Sequence, residues 1–285
     1  MKKILAILLA LCMMLTFAAC GAKNTDETTN TTAPAATTEA TIPTVEAEFG
    51  LEETLPADAE LIEGEAEVMT YAQFAAAELE AAVKVEATIQ AAQKYNAEYG
   101  NTSLYLQNEE GAYFVYRLAC TEDEYAKLTA GTVVAVSGYK AEWAGEVEII
   151  DATYEIVEGG EAYVAEALDV TEQLGTDALI ENINKKVAFN GMTVAASKDA
   201  EGNEVAFLYA WDGSGSKDAN SDLYFNVSYN GATYNFCVES DLCDNTSDVY
   251  AAVEALKIGD TIDLEGFLYW YEGANPHITA IAIAE

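Results

Sequence analysis

The sequence predicts a mainly-β protein built as two consecutive halves, each of five strands with a short helix between the third and fourth, behind an export signal and a flexible tether. Three observations carry this. Apolar residues alternate with polar ones in short runs separated by turn dipeptides, the pattern of half-buried strands. Leu128, Gly131, Gly138 and Gly145 recur as Leu256, Gly259, Gly266 and Gly273, an offset of 128 residues at all four positions. Finally, 51% of the 285 residues are hydrophobic, with 17 Tyr and 3 Trp, enough apolar surface for packed domains despite a formal charge of −36.

The chain begins with Lys2 and Lys3 followed by a nearly unbroken apolar run, Ile4 to Phe17, of the length of a signal-peptide core and shorter than a spanning helix. It ends at Ala18-Ala19-Cys20-Gly21, which resembles the lipobox of bacterial lipoproteins. Phe17 departs from the Leu usual in that family, which leaves an ordinary signal peptide as the alternative. The resemblance implies cleavage before Cys20, lipidation of Cys20, and a membrane contact made through the lipid anchor only. Loss of Lys2 and Lys3 leaves 11 basic against 49 acidic residues, a charge of −38. Gly21 to Val45 holds nine Thr and no apolar periodicity, so it cannot bury enough surface to offset its ordering entropy. The long Thr-rich tether suits a lipoprotein of Gram-positive type. The organisation read from the sequence is thus a lipoprotein signal peptide at 1–19, a disordered tether at 20–64, and domains at 65–160 and 161–285.

In the first domain, Thr70 to Ala81 reads as a helix capped by Thr70. Val83 to Ala91, Leu104 to Gln107 and Tyr113 to Leu118 alternate as strands, the last two joined at Asn108-Glu109-Glu110-Gly111. Thr121 to Leu128 is a short helix with Thr121 as N-cap and acids in its first turn. Thr132 to Trp143 and Glu146 to Ile156 close the domain as a hairpin around Ala144-Gly145. The second domain repeats the plan with a longer middle. Asp177 to Asn184 is helical, and strands are expected at Lys186 to Ala195, Val205 to Trp211, Leu223 to Tyr229 and Thr233 to Val238. The turn at Asn230-Gly231 suits type I′. Asp248 to Leu256 is the helix, and Thr261 to Tyr271 with His277 to Ile283 is the closing hairpin.

Three strands, a helix and two strands, with the passages Leu128-Thr129-Ala130-Gly131-Thr132 to Gly138 and Leu256-Lys257-Ile258-Gly259-Asp260 to Gly266, resemble the oligonucleotide- and oligosaccharide-binding (OB) families. The resemblance implies two tandem five-stranded barrels, with Gly138 and Gly266 at the bends that let a small barrel close. Short alternating strands also fit a β-sandwich.

Chemistry-bearing residues are sparse. His277 is the only histidine, in the loop before the last strand, a ligand-facing loop in OB barrels by resemblance; no Gly-x-Ser-x-Gly elbow accompanies it. Tyr269, Trp270 and Tyr271, with Tyr139 and Trp143 at the comparable place in the first half, are candidate ligand platforms, although strand aromatics commonly pack in cores. In an alternating strand Trp270 points opposite to Tyr269 and Tyr271, so one face needs a cover or a ligand. Asp212, Asp218 and Asp222 lie in an oxygen-rich loop that could accept Ca²⁺ weakly, but Lys217 and Leu223 break the EF-hand pattern. Glu142, Glu146 and Glu148, or Asp263 and Glu265, are the carboxylate pairs a glycosidase would need. Cys120, Cys237 and Cys243 remain after Cys12 and Cys20, so at most one intrachain disulfide can form. The negative charge argues against nucleic acid as a partner. The function read from the sequence is non-catalytic binding of a glycan, a peptide or an envelope protein, with no cofactor. A carboxylate-dependent extracellular hydrolase or its accessory domain, and a structural spacer, are the alternatives.

Overall fold

The computed structural model describes residues 67–283. The predicted signal peptide, the lipidation site Cys20 and the tether lie outside the described residues. Strands β1 (Ala82–Ala92), β2 (Asn101–Gln107), β3 (Ala112–Ala119), β4 (Val133–Trp143) and β5 (Glu146–Ile156) form a closed barrel in the order β1-β2-β3-β5-β4. Helices α1 (Tyr71–Ala76) and α2 (Glu122–Tyr125) accompany it. In the second half come β6 (Leu168–Asp169), β7 (Lys186–Ala195), β8 (Ser197–Lys198), β9 (Glu204–Val205), β10 (Leu208–Tyr209), β11 (Leu223–Tyr229), β12 (Ala232–Val238), α3 (Asp248–Glu254), β13 (Thr261–Phe267) and β14 (His277–Ile283). The ring β7-β11-β12-β14-β13 closes through β11–β7 and β13–β7 pairing. Both rings pair their third and fifth strands in parallel and place a helix between the third and fourth, which is the OB order.

The repeated glycines do the same work twice. Gly131 and Gly259 sit at φ +92° and +94°, and each N–H donates to a first-strand carbonyl, Ile89 O and Val194 O, both at 2.9 Å. Gly138 and Gly266 mark register shifts in the β4–β5 and β13–β14 ladders. A Cβ on Gly138 would lie 2.7 Å from Ile150 O, and one on Gly266 would overlap the His277 carbonyl oxygen. Only glycine lets the strands approach so closely at the bend. Asn230 and Gly231 both take positive φ, as the type I′ turn requires.

Several elements are shorter than their sequence patterns suggest. Thr70 caps α1 in a reciprocal box with Gln73, but the helix stops at Ala76. There the buried Lys140 ammonium reaches across from β4 and donates to the carbonyls of Phe74, Ala75 and Ala77 at 3.1, 2.9 and 2.8 Å, satisfying groups that a longer helix would have used. Asp177 to Asn184 becomes only a 3₁₀ turn, Leu179–Asn182. Val205 to Trp211 is not a barrel strand. Only Leu208 and Tyr209 pair, as a short edge on β11, while Phe207 and Tyr209 pack on the rim of the second core, with the Tyr209 hydroxyl donating to Glu254 of α3 at 2.6 Å. The ladder of β13 ends at Phe267, where the Tyr269 N–H donates to Phe267 O at 2.9 Å in a tight turn.

Each barrel has its own core: Val85, Ile89, Leu104, Leu106, Val115 and Val136 in the first, and Phe189, Val194, Phe225, Val227, Phe236 and Leu264 in the second. A third, smaller cluster joins them. Tyr105 and Phe114, cross-strand partners on the outer face of β2 and β3, pack against Phe267 and Tyr269 of the second barrel. Tyr105 stacks on Phe267 at 4.3 Å between ring centroids and 14° between planes. Burial on both faces explains why Thr102 to Gln107 is buried without alternation.

Replacing Gly266 by Ala should lower the free energy of unfolding by ~2 kcal/mol or more, because the backbone at His277 must move to admit a methyl group. Urea denaturation of the two proteins measures this directly, and an unchanged midpoint would remove the close-approach account of the repeated glycines.

Candidate functional site

The outer face of β2 and β3 is the surface on which OB barrels take their ligands, helped by the loops between strands one and two and between strands four and five. In the first barrel that face is occupied by Phe267 and Tyr269. In the second barrel the corresponding face, β11 and β12, is open. Leu223, Phe225 and Val227 point into the core, so Tyr224 and Asn226 point out, opposite Cys237 and Asn235 in register. They form the floor of a groove with a cavity volume of about 800 Å³.

The walls come from three places. The long β7–β11 connection contributes Ser197, Lys198, Leu208 and Trp211, with Trp211 77% exposed at the rim. The β13–β14 loop contributes Tyr269, Tyr271 and Asn275, and the first residue of β14 contributes His277. From the first barrel, the tip of the β4–β5 hairpin contributes Trp143, 56% exposed, whose indole meets Tyr271 at 5.0 Å. Trp143 and Tyr271 are the paired positions of the 128-residue repeat, so equivalent loops of the two halves touch at the groove.

Of the residues singled out from sequence, Trp143, Tyr269, Tyr271 and His277 line this groove. Tyr139 is exposed on β4 and does not. Trp270 turns away and packs against Gly145 and the second core, while its N–H donates to Glu146 Oε2 at 2.9 Å. His277, 8% exposed, opens β14 rather than lying in a free loop. Its Nδ1 lies 2.8 Å from the Tyr105 hydroxyl. That hydroxyl has no other acceptor among the described residues, so it donates to Nδ1 and the ring proton sits on Nε2. Burial pushes the imidazole pKa down to about 3, and the ring stays neutral.

The acids fall into distinct places. Asp263 and Glu265 are exposed, accepting from Gly191 N at 2.7 Å and facing Lys186 at 3.6 Å. Asp212 accepts from Ser214 N and Oγ at 3.0 and 2.7 Å. Among the described residues no three His, Cys, Asp or Glu side chains could together hold a metal ion, so the calcium grouping of Asp212, Asp218 and Asp222 is not assembled. Asp222 lines the groove instead, beside Glu239. Cys120, Cys237 and Cys243 are free thiols.

Glu146 is consumed by the junction of the barrels. It is fully buried at the hairpin tip, and burial drives its pKa up to about 8, against the lowering influence of the nearby Asn184 side chain and of the main-chain N–H of Trp270. Glu146 Oε1 and Asn184 Oδ1 are both buried without a partner, while Asn184 Nδ2 is committed to Val147 O at 3.1 Å. As the amide stands, the two acceptors are satisfied together when Glu146 carries a proton and donates it to Asn184; an Asn184 amide turned end for end would serve an ionised Glu146 instead.

Trp211, Tyr224, Asn226, Asn235 and Glu239 did not emerge from the sequence. The alternation of Leu223 to Val227 marks Tyr224 and Asn226 as outward, but the strand-like pattern of Val205 to Trp211 hides that β11 is the second strand of its barrel.

No family model matches the chain and no curated protein matches it. Among solved structures it is similar to the OB domain (residues 67–166) of MM0293 from Methanosarcina mazei, at 13% identity and TM-score 0.28, over 36% of this chain and 94% of that one. It is similar to the Ifi202 HINa domain in complex with 20-bp double-stranded DNA, at 13% identity and TM-score 0.33, over 72% and 98%. A third is the single-stranded DNA-binding protein from Thermus aquaticus, at 14% identity and TM-score 0.24, over 73% and 95%. The expectation set against nucleic acid on charge is therefore withdrawn, since structures similar to this one include a DNA complex and a DNA-binding protein.

Glu146 gives a pH signature. Its pKa is raised from an ordinary 4.5 to about 8 in the folded chain, so between those values the native state holds a proton that the unfolded state has lost. The contribution to stability is full below pH 4.5, falls as pH rises through that window and is flat above 8. Glu146→Gln, whose amide can donate to Asn184 and whose carbonyl can accept from Trp270, should flatten the slope and stabilise the protein at pH 8 by on the order of a few kcal/mol. Thermal unfolding between pH 5 and 9 tests this; an identical pH slope in the variant would show that Glu146 is ionised in place.

Proposed function

We propose that the protein is a lipid-anchored, extracytoplasmic binding protein that holds a glycan in the groove on the outer face of β11 and β12. The observation that carries this reading is the pairing of exposed aromatic planes, Trp143, Trp211 and Tyr271, with neutral amides and hydroxyls, Asn226, Asn235 and Ser197, along one open trough. Flat apolar rings suit the C–H faces of sugars, and side-chain amides suit their hydroxyls. The lipobox-like Ala18-Ala19-Cys20-Gly21 and the Thr-rich stretch behind it support the anchored, extracytoplasmic placement.

Tryptophan fluorescence titration against a panel of oligosaccharides should show saturable binding, weakened about tenfold or more by Trp211→Ala and by Trp143→Ala with unchanged thermal stability. The same titration with peptides should give no groove-dependent signal, and single- and double-stranded oligonucleotides are titrated alongside as a competing class. Binding of one of those classes that depends on both tryptophans, with no glycan bound, would replace the glycan reading. In cells, Cys20→Ala should move the protein from the membrane fraction to the soluble exported fraction; retention in the membrane would refute the anchor.

A further inference from the structure

Glu239 follows β12 and Asp222 precedes β11, and continuing the β11–β12 register places them opposite each other on the outer face, at one end of the groove floor. Like charges directly across an antiparallel ladder are destabilising, and a fold tolerates them at a cost. Neither carboxylate forms an ion pair among the described residues. Asp222 Oδ1 accepts from Ser240 N and Oγ at 2.8 and 2.6 Å, and Glu239 accepts from Gln93 Nε2 at 3.0 Å and Asp241 N at 3.2 Å. These donors fix both carboxylates in place but bring no compensating cation. Lys198 lines the groove, and Lys94 and Arg117 line a smaller cavity that shares Glu239, none of them pairing to either acid.

A second observation comes from His277. It is more than nine-tenths buried and lines the same groove, with Nδ1 spent on Tyr105 and Nε2 without a partner among the described residues. A neutral Nε2–H is a hydrogen-bond donor seeking an oxygen. Tyr271, Trp143 and Trp211 add ring faces that attract a cation as well as a sugar C–H face.

Resting on the glycan reading above, we propose that the groove is selective for an amino sugar bearing a free ammonium group. The ammonium lies between Asp222 and Glu239, a ring hydroxyl accepts from His277 Nε2, and the sugar face rests on the aromatic rim. One sugar residue supplies all three features, which a neutral hexose or an N-acetylated sugar does not. Burial and the neighbouring Asp222 and Asp241 charges raise the Glu239 pKa to about 7, so near neutrality it is partly protonated when free. The other titratable groups near it are Cys237, Cys243, Tyr224, Tyr105 and Tyr269, whose pKa values are raised, His277, which stays neutral, and Lys94 and Arg117 of the first barrel, which line the smaller cavity that Glu239 shares. A bound ammonium favours the ionised form, so binding expels a proton from Glu239.

The test uses the full-length chain with a β-1,4-linked glucosamine tetrasaccharide and its fully N-acetylated counterpart. Calorimetry at pH 5.5, where the oligomer amines already carry their protons and free Glu239 is protonated, in two buffers of different ionisation enthalpy, should show the free-amine oligomer bound at least about tenfold more tightly, with net proton release. Glu239→Gln and Asp222→Asn should each bring the two affinities within about threefold, and Glu239→Gln should abolish the proton release. Equal affinity for both oligomers, or the same preference in both variants, would overturn the amino-sugar assignment while leaving tryptophan-dependent glycan binding intact. No binding of any oligosaccharide would overturn both. The proton release of the unmutated protein is a separate readout that does not require either variant to fold.

Discussion

The contact of Tyr105 and Phe114 with Phe267, Tyr269 and His277 is the constraint on which the arrangement depends. It takes the outer face of β2 and β3, where an OB barrel meets its ligand, and turns it into a dry joint between the two halves. The stacked Tyr105 and Phe267 rings and the hydroxyl–imidazole bond lock that joint in one geometry, and burial of His277 follows from it. So does the position of the groove, because His277 and Tyr269 face the joint on one side and the open trough of the second barrel on the other.

The repeat therefore presents two barrels with one free face. The glycine devices of closure are the same in both: Gly131 and Gly259 at the entry to the fourth strand, Gly138 and Gly266 at its bend. The outer faces diverged in chemistry. Tyr105 opposite Phe114 is an apolar pair suited to a packed interface, whereas Tyr224 opposite Cys237 and Asn226 opposite Asn235 form a mixed surface suited to a wet one. The loops around Gly145 and Gly273 also took complementary roles, the first burying Glu146 at the junction and the second supplying Tyr271 to the groove wall.

Local features of the fold were legible in the sequence. Turn chemistry at Asn230-Gly231, alternation at the start of β1, and capping at Thr70 and Thr121 each depend on neighbours close in the chain, and the structure bears them out. Features set by partners far along the chain were not. Lys140 stops α1 from 64 residues away. The burial of Glu146 requires Asn184 and Trp270 from the other half, and nothing around Glu146 distinguishes it from the solvated Glu142. Val205 to Trp211 has the apolar pattern of a strand because it packs on the barrel rim, and periodicity cannot separate those two uses. Half of the site was visible as aromatic residues in two equivalent loops; the floor became visible only once the true second strand was known.

The joint also bears on how the protein is made. The first barrel is complete at Ile156, but the residues that cover Tyr105 and Phe114 do not arrive until Phe267 and His277, more than a hundred residues later. During synthesis the leading half shows an uncovered aromatic strand face, a surface that invites association with other chains. A truncation after the first barrel would keep its own core yet leave this face bare, so the leading half reaches its final surface only when the last two strands are made.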